Sequence, residues 1–248
     1  MRFFSRKKAL EPELEPAFVS AIIVAAGQST RMGGEGSKQF ILLDGVPVIV
    51  RTLKAFELAD EIREVVIAAR QEDIPQMYEL IQDYEITKVK QIVTGGATRQ
   101  ESVFRAIAHA DGRADFLAIH DGARPLIRPQ EIDQAVGAAI EHGAAALGVP
   151  VKDTVKRIDA HGQILETPER SALWSVQTPQ IFARALYLRA VEQAGAEAAA
   201  LTDDCQLIER LGEPVFLVRG AYSNLKITTP EDVFAAEGIL RASEDFYG

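Results

Sequence analysis

The polarity pattern changes period repeatedly along the chain. Val19 to Ala26 is an unbroken apolar run rich in β-branched residues, the pattern of a strand covered on both faces. From Pro47 to Ala59 the apolar positions Ile49, Leu53 and Phe56 recur at helical spacing, and Pro47 suits a first turn. Glu64 to Ala69 is short and apolar, so it predicts a second strand. The alternation continues with a helix over Asp73–Asp83, a strand over Val89–Val93, a helix over Thr98–Ala110 with Val103 and Ile107 inward, and a strand over Asp115–Ile119. Pro129 to His142 predicts a helix with Ile132, Val136 and Ile140 on one face, ended by Gly143. Ala144 to Val149 follows as a strand.

Strands alternating with helices predict the α/β class. The expected fold is a single Rossmann-like domain whose mostly parallel, twisted sheet is flanked by helices. The rhythm breaks at Val151. Val151 to Ile158 alternates like a two-faced strand, Asp159-Ala160-His161-Gly162 is a turn signal, and Gln163 to Glu166 is the return strand. Residues 151–175 are therefore expected to form an inserted β-hairpin arm. It either protrudes to meet a second copy of the chain or lies on its own domain. Beyond it come helices over Arg184–Ala194 and Asp203–Leu211, a strand over Val215–Val218 and a last helix from Pro230. The domain is expected to span residues 18–248.

Residues 1–17 carry Arg2, Arg6, Lys7 and Lys8, then Glu11, Glu13 and Glu15. They lack the apolar core of a signal peptide, and a disordered tail is expected. No apolar run is long enough to cross a membrane. The formal net charge of −9 argues against general binding to nucleic acid or an anionic membrane. The single cysteine, Cys205, allows no disulfide within the chain, which fits a reducing cytoplasm; its place at the head of an apolar stretch makes it a packing residue. His109, His120, His142 and His161 show no metal-ligand spacing.

The chemistry concentrates where the first strand ends. Ala25-Ala26-Gly27 is followed by Arg31, Gly33, Gly34 and Lys38. Small residues let backbone N–H groups approach phosphate oxygens, and Arg31 and Lys38 add positive charge. The spacing is neither that of a P-loop nor that of the dinucleotide fingerprint. Gly95-Gly96 and His120-Asp121 end two further strands, at the carboxyl edge where open α/β sheets bind ligands. Thr98 or Ser102 also suits a helix cap, Asp121 a turn, and Thr202-Asp203-Asp204 a helix N-cap or a substrate contact. Lys226 sits between Leu225 and Ile227 on an expected strand just before Pro230, an unusual setting for an ammonium group.

The Ala25-Ala26-Gly27, Arg31-Met32-Gly33 and Lys38-Gln39-Phe40 series resembles the sugar-phosphate nucleotidyltransferases. Within them, Gly95 to Val103, His120 to Pro125 and Trp174 to Gln180 resemble the 2-C-methyl-D-erythritol 4-phosphate cytidylyltransferase family, over about Val19 to Leu240. The resemblance implies transfer of CMP from CTP to a small polyol phosphate, with ribitol 5-phosphate as the alternative acceptor. A nucleotide-binding regulatory module without turnover is the alternative of another class. It implies catalytic roles for Arg31, Lys38, Arg170 and Lys226. It implies nucleotide contacts at Ala25, Ala26, Gly27, Gly96, Ser102, Asp121 and Gly122, and acceptor contacts at Asp121, Arg124, Thr154, Arg157, Thr178 and Thr202. Many relatives of this type carry an acidic residue where Ala97 stands, so the resemblance does not carry a side-chain contact over to that position. Mg²⁺ held mainly through CTP phosphates, and a homodimer formed through the arm, are further implications.

Overall fold

The computed structural model describes residues 16–27 and 37–242. The tail up to residue 15, and Arg31 with its neighbours 28–36, lie outside the described residues. The central strand is β1 (Val19–Ala25). Its alternate residues feed two cores. Ala21, Ile23 and Ala25 belong to one cluster and Ile22 to the other, all without exposed surface. This two-sided burial explains the unbroken apolar run.

After β1 come a small hairpin, β2 (Leu42–Leu43) and β3 (Val46–Pro47), then α1 (Val48–Leu58) and β4 (Ile62–Ala69). The hairpin was not expected from the apolar pattern. Its signal is Asp44-Gly45, whose φ angles of 44° and 77° are those a two-residue type I′ turn requires. Next are α2 (Ile74–Asp83), β5 (Val89–Thr94), α3 (Arg99–Ile107) and β6 (Phe116–Asp121). Then follow α4 (Pro129–His142), β7 (Ala144–Pro150), β8 (Arg157–Ile158) and β9 (Ile164–Glu166). The chain continues through β10 (Trp174–Ala183), α5 (Arg184–Ala194), α6 (Cys205–Arg210), β11 (Phe216–Arg219) and α7 (Pro230–Ala242).

Seven strands form one sheet in the order β11-β7-β10-β6-β1-β4-β5. All pairs are parallel except those of β10, which is antiparallel to both β6 and β7. One face is covered by α1, α2 and α4 through Ile49, Leu53, Phe56, Met77, Ile132 and Val136. The other is covered by α3, α5 and α6 through Val103, Ile107, Tyr187 and Ile208. A satellite cluster joins α7 to β2 and to the loop after β6, and it includes Ile227 beside Lys226.

Four expectations change. Ile140 is exposed, and Ala139 takes its place in the core. The inward stripe from Ile132 runs 132, 135, 136, 139, because eight residues at about 100° each overshoot the face while seven return to it. The alternating segment from Val151 does not form a long strand: only Arg157 and Ile158 pair with β9. Trp174 and Ser175, which the expected arm of 151–175 included, open a ten-residue strand of the central sheet, and its register shifts between Val176 and Gln180, around Thr178. Lys226 lies on an irregular stretch between β11 and α7, not on a strand.

Candidate active site

The sheet order reverses at β1. The chain leaves it for β4 on one side, while β6 occupies the other. The crevice at the carboxyl ends of β1 and β6 is thus the switch point at which open α/β sheets take ligands. Val24 pairs with Asp121 in register, and Gly122 N–H donates to Val24 O at 2.9 Å. This sets Ala25, Ala26 and Gly27 beside Asp121 and Gly122. A Cβ on Gly122 would meet Ile49 Cδ1 at 3.1 Å and Val24 O at 3.2 Å, so a side chain there would need its neighbours to give by a few tenths of an ångström. On the other flank, Gly95 N–H donates to Ala69 O at 2.8 Å, and a Cβ on Gly95 would run into Ala26. Gly95 has no room for a side chain against Ala26, while Gly122 is a tight fit between Ile49 and β1.

The turn after β5 is shaped from within. The Ser102 hydroxyl accepts from Gly96 N–H at 3.0 Å and donates to Thr98 O at 2.9 Å. Ser102 is buried, so what it presents to the crevice is the backbone it holds. Thr98 is the helix cap, accepting from Glu101 N–H at 3.1 Å, and Glu101 in turn accepts from Ala97 N–H. Here one residue of the motif caps the helix while the other shapes the turn.

Asp121 is the electrostatic centre. Its Oδ2 lies 2.8 Å from Lys226 Nζ and 3.6 Å from Arg124 Nε, and its Oδ1 lies 3.4 Å from Arg99 Nε. Burial alone would raise this carboxyl, but Lys226, Arg99 and Arg124 outweigh it and hold it well below the usual carboxylate range. Arg124 also donates to Asn224 O at 2.8 Å, a clamp across two loops.

The Lys226 segment is fastened along its length. Ala221 N–H donates to Glu131 Oε1 at 2.7 Å, and Gln177 Nε2 donates to Ala221 O at 2.9 Å. Asn224 Nδ2 donates to Thr178 O at 3.0 Å, and Ile227 N–H to Ala123 O at 2.8 Å. Lys38 Nζ donates to Ile227 O at 3.0 Å, which brings the second expected lysine to within one residue of Lys226. Gln177 and Asn224 were not singled out from sequence; as buried amides in polar motifs, they carried only a weak signal.

Thr178 is buried, and its hydroxyl accepts from Asp121 N–H at 3.1 Å and meets His120 Nδ1 at 3.1 Å. It therefore holds the end of β6 at Asp121 in place. His120 has no exposed surface and packs its ring 4.9 Å from that of Phe56. Burial pushes the imidazole down to about 3, so it is neutral in the folded protein. An unfolded histidine binds a proton near pH 6.5, so the unfolded chain gains protons first as pH falls. Stability should drop by about 1.4 kcal/mol per pH unit below about pH 6.5 from this group. Urea unfolding at pH 7, 6 and 5 should show that slope in the wild type and a shallower one in His120→Gln; equal slopes would refute it.

The arm lies apart. Thr154 and Arg170 are exposed, and Arg170 donates to Lys152 O at 3.1 Å. Arg157 pairs with Glu166 across the hairpin at 2.8 Å. No hydrogen bond or ion pair among the described residues joins Thr154, Arg157 or Arg170 to Asp121 or Lys226. The base of the arm is nevertheless tied to the Lys226 segment: Tyr222 donates to Pro150 O at 2.8 Å, and Lys152 Nζ sits 3.6 Å over the Tyr222 ring. Thr202 is exposed and accepts from Gln206 at 2.6 Å. Cys205 is buried with its thiol pushed up by burial, as befits a packing residue.

A sheet edge of close-packed glycines, two converging lysines and one buried carboxylate suits binding of a nucleoside triphosphate, and the class is that of the nucleotidyltransferases. The family model for 2-C-methyl-D-erythritol 4-phosphate cytidylyltransferase matches residues 19–242. Curated relatives of that name include those of Bacillus cereus, 45% identical over 90% of this chain and 98% of theirs, and Halalkalibacterium halodurans, 47% identical over 91% and 98%. The solved 4-diphosphocytidyl-2C-methyl-D-erythritol synthase of Anaerococcus prevotii superposes with a TM-score of 0.82 at 32% identity, covering 91% of this chain and 97% of that one. The solved cytidylyltransferase of Thermus thermophilus gives 0.74 at 32% identity, covering 90% and 99%.

The chain belongs to the 2-C-methyl-D-erythritol 4-phosphate cytidylyltransferase family. It is an enzyme of CTP-dependent synthesis of 4-diphosphocytidyl-2-C-methyl-D-erythritol, in the non-mevalonate route to isoprenoid precursors. This sets aside ribitol 5-phosphate as acceptor and the reading as a regulatory module without turnover. No helix among the described residues is long and apolar enough to cross a membrane.

Proposed function

We propose that the transfer runs on a cationic clamp centred on Lys226, with the acceptor delivered by the arm of a second subunit. The observation that carries the reading is the Lys226 ammonium 2.8 Å from Asp121, at the carboxyl edge and one residue from the carbonyl that holds Lys38. An acceptor phosphate is already ionised near neutral pH, so its oxygen attacks the α-phosphorus of CTP without a dedicated base, and pyrophosphate leaves in line. Positioning and charge neutralisation then supply the rate. Lys38 and Arg31 take the triphosphate end, and Lys226 passes from Asp121 to the α-phosphate. The backbone of Ala25 to Gly27, Gly96 and Gly122 lines the nucleotide. Ser102 and Thr178 act through the turns they hold.

Among the described residues no group of three or more His, Cys, Asp or Glu could hold a metal ion. Asp121 is the carboxylate at this edge, and three cations already share it. That donor set fits a metal held mainly by triphosphate oxygens and water, with Asp121 as the protein oxygen at hand. Bound there, Mg²⁺ would supply charge neutralisation for the departing pyrophosphate.

The arm exposes Val155, Ile158, Ile164 and Leu165, an apolar surface suited to a second copy of the chain. Arg170, a planar guanidinium, suits a phosphate acceptor, and Thr154 and Arg157 belong to the same arm. Mixing tests both parts together. Lys226→Ala and Arg170→Ala homodimers should each be nearly inactive. In a mixed dimer one site receives both lesions and the other none, so random mixing should restore about a quarter of wild-type turnover. Monomers in sedimentation at micromolar concentration, or no recovery on mixing, would rule out the arm acting in trans.

A further inference from the structure

Beneath the reacting edge lies a second buried carboxylate. Asp204 stands just before α6 and has no exposed surface. Its Oδ2 accepts from Arg99 Nη1 at 2.5 Å, and its Oδ1 accepts from the Tyr187 hydroxyl at 2.7 Å. Its backbone N–H donates to Gln180 Oε1 at 2.9 Å, and Gln180 Nε2 donates to Asp203 Oδ2 at 3.3 Å. Asp203 is the residue that caps α6, accepting from Gln206 N–H at 3.2 Å. Asp204 is thus not needed as a cap. The Thr202-Asp203-Asp204 segment divides its work between a cap at the surface and a buried anion.

Arg99 joins the two layers. One nitrogen faces Asp204 while Nε faces Asp121 Oδ1. A guanidinium is planar, so two carboxylates at two of its edges fix its orientation as well as its place. Asp121 in turn has its two oxygens assigned: Oδ1 to Arg99, and Oδ2 to Lys226 and Arg124. We propose that Asp204 is a positioning residue for the transfer, which by anchoring Arg99 fixes the Asp121 carboxylate so that a single oxygen is offered to Lys226. This rests on the reading of Asp121 and Lys226 as the reacting edge.

The physical argument is one of alternatives. Without a second anion, Arg99 is free to slide fully onto Asp121 and take both its oxygens, as guanidinium–carboxylate pairs prefer. Asp121 then turns away from Lys226, and the ammonium loses the partner that aims it. A lysine held by one shared oxygen is also released to an incoming phosphate more readily than one in a closed pair. Tyr187 completes the device. Its phenol is fully buried on the sheet, with its ring tilted against that of Phe182 at 5.4 Å between centroids, so Asp204 is fixed from the core side. Burial, then Asp204, pushes the Tyr187 hydroxyl well up, so it remains a donor throughout the working pH range.

The test uses the full chain, with pyrophosphate release from CTP and 2-C-methyl-D-erythritol 4-phosphate as the readout. Asp204→Asn keeps volume and removes the charge. It should lower kcat about tenfold or more while KM for CTP moves less than about threefold. Arg99→Lys keeps the charge but not the planar bridge and should show the same split. The double variant should be no worse than Arg99→Lys alone, because both changes break one line of action. A merely structural Asp204 would lower the thermal midpoint and leave kcat per folded molecule unchanged, and that result overturns the proposal. Losses that multiply in the double variant overturn it too. Should Asp204→Asn not fold, Tyr187→Phe decides: a twofold to fivefold fall in kcat at steady KM, about what one hydrogen bond supplies, supports it, and unchanged kcat overturns it. Lys226→Ala run alongside separates the two readings. If that variant keeps its turnover, the reacting edge itself is misplaced; if it is inactive while Asp204→Asn is normal, only the positioning role fails.

Discussion

Lys226→Ala is expected to lower kcat about a thousandfold while leaving the protein folded. The size follows from the chemistry of the step. Charge develops on phosphate oxygens as pyrophosphate departs, and a fixed cation in a partly water-excluded crevice is worth about 10²–10³ in rate. The Lys226 side chain is 38% exposed, on a segment held by Glu131, Gln177, Asn224 and Ala123 rather than by its own ammonium. Its removal should therefore cost little stability, about 1 kcal/mol or less. Asp121 keeps Arg99 and Arg124 as partners. Steady-state pyrophosphate release and a thermal midpoint measured on the same preparation check both halves. Lys226→Arg should recover only part of the rate, since a forked guanidinium does not replace a compact ammonium. Turnover within twofold of wild type in Lys226→Ala would remove the lysine from the mechanism.

The legible part of this enzyme is the part governed by local pattern. The strands buried on both faces announce themselves as apolar runs, and α4 shows its start at Pro129 and its end at Gly143, where φ is 85°. The ends of β1 and β6 were readable as strand ends because small residues and a carboxylate follow apolar runs, and the two strands do end side by side. What could not be read is what depends on distant partners. Trp174 to Ala183 is half exposed at its start and bulged at Thr178, so it shows neither clean alternation nor a buried run. It becomes a strand only because β6 and β7 leave a gap between them that an antiparallel chain fills. Lys226 looks strand-borne from its neighbours, yet it is held by a set of side chains from four other places in the chain. Asp204 is the sharpest case. Its sequence context is that of a cap, and only the arrival of Arg99 from 105 residues away and Tyr187 from 17 gives it a different task.

Asp121→Asn separates binding from catalysis more sharply than any other change at this edge. The substitution preserves shape but leaves Lys226 and Arg124 facing a neutral group, while Arg99 retains Asp204. Two effects of opposite sign follow. The crevice becomes more positive, so the triphosphate of CTP should bind as well or better, and KM for CTP should hold or fall. Lys226, no longer aimed by a fixed oxygen, should be misplaced in the transition state, and kcat should fall about a hundredfold. Stability should fall as well, by about 3–5 kcal/mol, the usual cost of leaving buried charge without its partner. The pH dependence carries the sign. The folded carboxyl is held below the unfolded value of about 3.9, so its contribution is full above that pH and fades as pH falls toward the folded value. Wild type should therefore lose stability between about pH 4 and pH 2.5 more steeply than Asp121→Asn, whose curve starts lower and runs flatter. Denaturant unfolding over that range, paired with kinetics at pH 7.5, measures both. A variant whose only defect is a raised KM for CTP would mean that Asp121 serves to bind the nucleotide rather than to hold Lys226 for the transfer.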